Sequence, residues 1–132
     1  MVKIVSYRDL EVWKMAIQIA EDVFNLTKSF PINQTRILTD QMQRSAISSS
    51  SNIAEGHGGG SRKEYVKFLY YSNRSRCELE SQLILAVRLG FADRILSRAI
   101  MEKLVSIGKM LTQLIKKLET PQPKTHNPKP KS

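Results

Sequence analysis

The spacing of apolar residues near the C-terminal end constrains this chain most. Leu96, Ile100, Leu104, Ile107, Leu111, Leu114 and Leu118 follow one another by steps of three and four. That period places all seven on one stripe of an α-helix and excludes a strand, in which alternate residues share a face. Asp93 supplies the N-terminal cap, and Lys116 and Lys117 sit where the helix dipole favours cations. The same period recurs near the start. Leu10, Trp13, Ile17, Ala20 and Phe24 run beside Val12, Ala16, Ile19, Val23, Leu26 and Phe30, a wide apolar face on a helix from about residue 7 to about residue 29. Ser6 with Asp9 reads as a capping box and Phe30-Pro31 as the stop. Such a helix is about 33 Å long.

A second helix is predicted from about residue 34 to about residue 55, through Leu38, Met42, Ala46, Ser49 and Ile53. Its inner surface is small, with Ser48 to Ser51 consecutive, and those four serines cost on the order of 2 kcal/mol in helix propensity. Close helix packing can offset that cost. A flexible serine linker is the alternative, and the helical pattern resuming at Asn52-Ile53-Ala54-Glu55 favours the helix. Gly56-His57-Gly58-Gly59-Gly60 reads as the break, and Ser61 with Glu64 as the capping box of a third helix ending near Leu89, with Gly90 as its C-cap. No segment reads as a strand. The expected fold is an all-α, antiparallel up-down four-helix bundle over residues 1–119. Residues 120–132 hold four of the five prolines and three lysines without an acid, a disordered or extended basic tail.

Function is bounded mostly by exclusion. The 132 residues leave room for one domain, and one cysteine, Cys77, cannot build a disulfide framework. No apolar run reaches the ~18 residues of a membrane span, and the N-terminus lacks a secretion signal, so a cytoplasmic protein is expected. His57 and His126 with Cys77 do not make a zinc site. His57-Gly58-Gly59-Gly60 resembles an oxyanion-hole string, but the nucleophile elbow and sheet are missing. The dispersed glutamates lack the Glu-x-x-His repeats of a di-metal bundle. Neither an enzyme nor a cofactor is expected.

The remaining anomaly is charge. Twenty-one basic residues against twelve acidic ones give +9, and eight of the nine arginines lie between Arg36 and Arg98. On the third helix Lys63, Lys67, Tyr70, Arg74 and Arg88 fall within about 40° of Lys63, on the side away from Tyr65, Phe68, Ser72, Leu79, Leu83 and Ala86. A cationic stripe holding an aromatic suits phosphate contacts and base stacking, which makes RNA or DNA the expected partner. A merely solvated outer face is the alternative. Arg76 lies at the core margin, four residues from Glu80, as a structural arginine would. Val66, Leu69, Ile84 and Val87 form a further apolar strip, a plausible self-association surface.

Asp9-Leu10-Glu11-Val12-Trp13 with Ala16, Leu26-Thr27, Phe30-Pro31, Leu38-Thr39, Gln41, Arg44, Ala46, Ser48, Asn52-Ile53-Ala54-Glu55-Gly56, Ser75 and Glu78-Leu79 together resemble a known signature. The chain resembles, over about residues 8 to 118, the four-helix-bundle proteins of intervening sequences in bacterial 23S rRNA genes. These are similar to the accessory variability proteins of diversity-generating retroelements. The resemblance implies a homopentameric barrel and, in the retroelement branch, a basic partner of reverse transcriptase and RNA. The intervening-sequence branch carries no settled function, and the alternative reading is a structural or protein–protein module with no nucleic-acid role. Arg74 and Arg76 depart from the pattern, which usually has a small and an apolar residue there. Asn52 and Glu55, three apart near a helix end, are expected to hydrogen-bond the next turn or a neighbouring helix and, with Gly56, to be structural.

Overall fold

The computed structural model describes residues 6–121. Four helices follow in order, α1 (Glu11–Thr27), α2 (Ile32–Gly58), α3 (Arg62–Arg88) and α4 (Arg94–Glu119), preceded by one 3-10 turn, Tyr7–Asp9. No strand occurs among the described residues. Each helix packs on its neighbour in sequence, and α4 closes back on α1. The diagonal pairs α1/α3 and α2/α4 are not adjacent. Short connections force antiparallel neighbours, so the chain is an up-down four-helix bundle as its apolar periodicity predicts. The tail beyond residue 121 lies outside the described residues.

The predicted N-caps of α3 and α4 are present, Ser61 as a simple cap without the reciprocal Glu64 bond of a capping box. The Asp93 carboxylate accepts from Leu96 N–H at 2.8 Å, and the Ser61 hydroxyl accepts from Glu64 N–H at 3.1 Å. After α3, Gly90 takes φ of 80°. Phe91 N–H then donates to Ala86 C=O and Gly90 N–H to Val87 C=O, both at 3.0 Å, the paired bonds of a Schellman stop. Ser6 and Asp9 do form a capping box, but it closes the 3-10 turn and not α1. Leu10 is extended (φ −77°, ψ 127°), so the first helix is shorter than its apolar pattern suggests. Tyr7 turns back edge-on to Trp13, with ring centroids 5.1 Å apart.

The serine segment is helical throughout, and its physical reason is α3. Ser45, Ser49 and Ser50 of α2 and Ser72 and Ser75 of α3 are buried. Ser72 Oγ lies 3.0 Å from Ser49 Oγ and donates to Ser49 C=O at 2.8 Å, and Ser75 Oγ donates to Ser48 Oγ at 2.9 Å. Paired hydroxyls remove the penalty of burying them, and small side chains let the two helices approach closely.

Three expectations are corrected. Gly56, His57 and Gly58 belong to α2, and the break is Gly59–Gly60. A Cβ on Gly56 would stand 2.8 Å from Phe68 Cβ, so this glycine answers a helix contact and not a turn. On α4 the stripe holds at Ile100, Leu104, Ile107 and Leu111, but Leu96 is 44% exposed while Ser97 and Ile115 are buried. Leu69, assigned to a surface strip, is completely buried, with Val66 and Val87 half-buried against the core. That flank of α3 is covered by α4, which a wheel drawn for α3 alone does not show. Of the strip only Ile84 is exposed.

Opposite effects are expected from one substitution at two glycines of α2. Gly56→Ala should destabilise the bundle by about 1–2 kcal/mol, since overpacking against Phe68 outweighs the gain in helix propensity. Gly58→Ala meets no atom within 4 Å and should stabilise by about 0.5 kcal/mol. Denaturant titration of both variants measures the signs, and a Gly56→Ala protein as stable as the parent would remove the close-approach account.

Candidate nucleic-acid interface

On α3, Lys63, Lys67, Tyr70 and Arg74 are all exposed, as their helical spacing requires. Their partners differ. Lys63 forms no ion pair among the described residues. Lys67 Nζ stands 3.9 Å from Glu64 Oε2 and 5.6 Å from the Phe68 ring centre. An exposed pair at that distance contributes little and is readily exchanged for another anion. Arg74 lies 5.8 Å over the ring of Tyr71, which itself meets Phe68 edge-on. Tyr71, not singled out from the sequence, is thus the aromatic that works with an arginine on this face.

Tyr70 is committed elsewhere. Its hydroxyl donates to Glu119 Oε2 at 3.2 Å, tying α3 to the last residue of α4. Loss of solvation and, after it, the Glu119 carboxylate raise the phenol's pKa. The ring is a clamp between helices more than a free stacking platform.

Arg88 lies fourteen residues beyond Arg74, about 21 Å along the helix, so it does not extend the first cluster. Antiparallel packing brings it instead to Arg94 and Arg98, with which it lines a groove of about 360 Å³ between α3 and α4. None of the three makes an ion pair among the described residues. Arg94 and Arg98 went unnoticed in the sequence. Their signal is that two cations, one turn apart, open α4 where the helix dipole disfavours positive charge. The single stripe is therefore two cationic clusters, one at each end of α3.

Arg76 behaves as its spacing predicts. Its guanidinium pairs with Glu80, donates from Nε to Asn73 Oδ1 at 2.8 Å, and its side chain is only 16% exposed. The sequence did not reveal the counterpart, Gly108 of α4, where any Cβ would fall 2.8 Å from Arg76 Cζ. A lone glycine inside an apolar helical pattern was the available sign.

Asn52 donates to Ser48 C=O at 2.8 Å and Ser48 Oγ at 3.0 Å, thereby supporting the hydroxyl that receives Ser75. The bond runs to the preceding turn of its own helix. Glu55 is exposed and makes no hydrogen bond among the described residues, contrary to the expected contact, because its side of α2 faces no neighbour. His57 packs edge-on against Tyr65 at 5.6 Å, whose own pKa burial raises. Twelve residues, about 18 Å of helix, separate Tyr65 from Cys77, so histidine and thiol are not a pair. Among the described residues no three His, Cys, Asp or Glu side chains gather as a metal site. No helix of the described residues is long and apolar enough to cross a membrane.

The profile of the 23S rRNA-intervening sequence protein family matches residues 8–113, four-fifths of the chain. The chain belongs to that family. It is similar to a crystal structure of a protein of unknown function from the S23 ribosomal protein family of Bacteroides thetaiotaomicron VPI-5482. The two share 27% identity and a TM-score of 0.73, over 80% of this chain and 98% of the other. No curated protein matches this member of the family.

The Tyr70–Glu119 contact has a pH signature. The raised folded-state pKa means that the fold favours the protonated phenol, a contribution present at neutral pH and lost as pH climbs through the phenol's titration. Glu119→Gln should move the Tyr70 titration to lower pH, read by phenolate absorbance with Tyr70→Phe identifying the signal. An unchanged titration would show that the carboxylate does not reach the phenol in solution.

Proposed function

We propose that this bundle is a non-catalytic nucleic-acid-binding protein, RNA being the favoured partner, held chiefly through phosphates. One observation carries the reading. Arg62, Lys63, Arg74, Arg88, Arg94 and Arg98 are exposed along α3 and the start of α4, and none makes an ion pair among the described residues. Solvated lysines with interspersed acids suffice for solubility, whereas this face is rich in arginine, whose planar fork suits phosphate. Without the three tail lysines the net charge falls from +9 to +6. Five copies would carry +30, a field that concentrates polyanions.

Family resemblance supports two finer parts of the proposal, a homopentameric assembly and a reverse transcriptase as partner, and the single cysteine suits a cytoplasmic location. A second reading, a protein–protein module, is favoured by one observation. Ile32, Ile37 and Ile95 are 76%, 80% and 81% exposed, all near the end of the bundle where α2 and α4 begin. Apolar residues so exposed suit a contact with another chain. They replace the Val66, Leu69, Ile84 and Val87 strip as the candidate self-association surface.

Binding to structured RNA across a salt series tests the main reading. The triple variant Lys63→Gln, Lys67→Gln, Arg74→Gln should bind more weakly, with the slope of log K on log salt reduced by about 0.7–0.9 for each lost contact. Helicity and oligomer mass should stay as in the parent, since all three residues are exposed. Absence of binding by the parent at ~50 mM salt would overturn the reading in favour of the interaction module. Light scattering on the same samples should give several times 15.1 kDa, and a monomer at micromolar concentration would remove the assembly.

A further inference from the structure

The groove between the end of α3 and the start of α4 has three properties together. Arg88, Arg94 and Arg98 supply guanidinium groups, and Ile84, Val87 and Met101 supply aliphatic walls. Ser97 lines it as well, 4% exposed, and its hydroxyl makes no hydrogen bond. Ser97 Oγ is one of two such buried side-chain oxygens among the described residues, the other being Gln82 Oε1. Other hydroxyls fold back on their own helix, as Thr112 does on Gly108 C=O at 2.9 Å and Ser50 on Ile47 C=O at 3.0 Å, or bond across to a neighbour, as Ser72 does to Ser49 C=O at 2.8 Å. Ser97 does neither. A buried hydroxyl without a partner is costly, and one in a groove selects a ligand whose polar atom reaches it.

Three kinds of anionic ligand would satisfy the arginines. An acyl chain or an aliphatic side chain of an acidic helix would fill the walls and leave Ser97 unsatisfied. A nucleobase has apolar faces for Ile84, Val87 and Met101 and a polar edge for the serine, and its own phosphates lie on the same molecule. Guanidinium planes also stack on bases, which compensates for the lack of an aromatic in the groove. A volume of about 360 Å³ lies at the lower end of small-ligand sites.

We propose that this groove takes one unpaired nucleotide, its base edge hydrogen-bonded to Ser97 Oγ and its phosphates held by Arg88, Arg94 and Arg98. The inference rests on the nucleic-acid reading and deepens it. Paired bases present no free face to such a groove, so the site selects single strands, while the Lys63, Lys67 and Arg74 cluster contacts backbone of either kind.

The test uses the full chain and a labelled RNA of about ten nucleotides, alone and annealed into a duplex. Fluorescence anisotropy should show the single strand bound about tenfold more tightly than the duplex. Ser97→Ala should weaken single-strand binding about fivefold, the loss of one neutral hydrogen bond, and leave duplex binding as in the parent. The same variant should melt at a higher temperature, since an unsatisfied hydroxyl is removed, which separates the effect from misfolding. Ile84→Glu, at a position already 48% exposed, should abolish the single-strand preference by placing a carboxylate among the arginines. Competition by adenosine or uridine monophosphate at concentrations close to those of the oligonucleotide would support the site with a free nucleotide as its source. Equal affinity for single strand and duplex, or a Ser97→Ala variant that keeps the parent's preference, would overturn the groove while leaving phosphate binding intact. Displacement of the RNA by an acidic amphipathic peptide equally from parent and Ser97→Ala would overturn it in favour of a protein ligand. No binding of either RNA would overturn both readings.

Discussion

The close approach of α2 to α3 is the constraint on which the rest of this bundle depends. Gly56 lets Phe68 come within reach of the α2 backbone, and serines, not leucines, fill the seam below it. The two hydroxyl contacts, Ser49 with Ser72 and Ser48 with Ser75, fix the register, because sliding either helix by a turn would leave several buried oxygens unpaired. Large side chains fill the interior beside that seam, Met42 and Ile53 from α2 and Leu69, Leu79 and Leu83 from α3. Val23 and Leu26 of α1 meet Ile100, Leu104, Ile107 and Leu111 of α4 in one apolar cluster, where burial of each contributes roughly 1.5–3 kcal/mol. The bundle thus combines a thin, specific polar seam between α2 and α3 with an oily, less directional filling to which all four helices contribute.

What could be read from the sequence follows the same division. Caps were legible because their chemistry is local, so Asp93, Ser61 and the Gly90 stop appear as their residues require. The bundle itself was legible from period alone. Gly56 was misread as a turn residue because its reason, Phe68, lies on another helix. Leu69 was misplaced for the same cause, since α4 covers a flank of α3 that looks surplus in isolation. In the candidate site, Lys63, Lys67 and Arg74 follow from helical angle, and Arg76 with Glu80 from a spacing of four. Arg94 and Arg98 offered only their place at the start of α4 as a sign, and like Ser97 they were missed because antiparallel packing sets them beside Arg88.

Charge along α4 separates what serves the fold from what does not. At its C-terminal end Lys116 and Lys117 complement the dipole, and Lys103, in the middle, is held by Asp22 of α1 at 2.6 Å. At its N-terminal end Arg94, in the first turn, opposes the dipole at a cost of about 0.3–1 kcal/mol that the Asp93 cap only partly offsets, and Arg98 follows one turn on. Arg88 adds a third like charge there, although at the last residue of α3 it complements that helix's own dipole. Nothing in the packing requires any of the three, for all are exposed.

Two departures from local stability meet at the α3–α4 groove, which three like-charged guanidiniums and an unsatisfied serine line together. Over most of the rest of the bundle capping and packing agree with one another, as they must in a sequence that specifies a single fold. An anion between the arginines reverses the sign of their mutual repulsion, and a polar atom at Ser97 removes the cost of its burial. Both terms that weaken the isolated bundle become terms that strengthen a complex. Because α3 turns its small-residue face to α2 and its cationic face outward, the seam that fixes the fold does not depend on the charges that would hold a ligand.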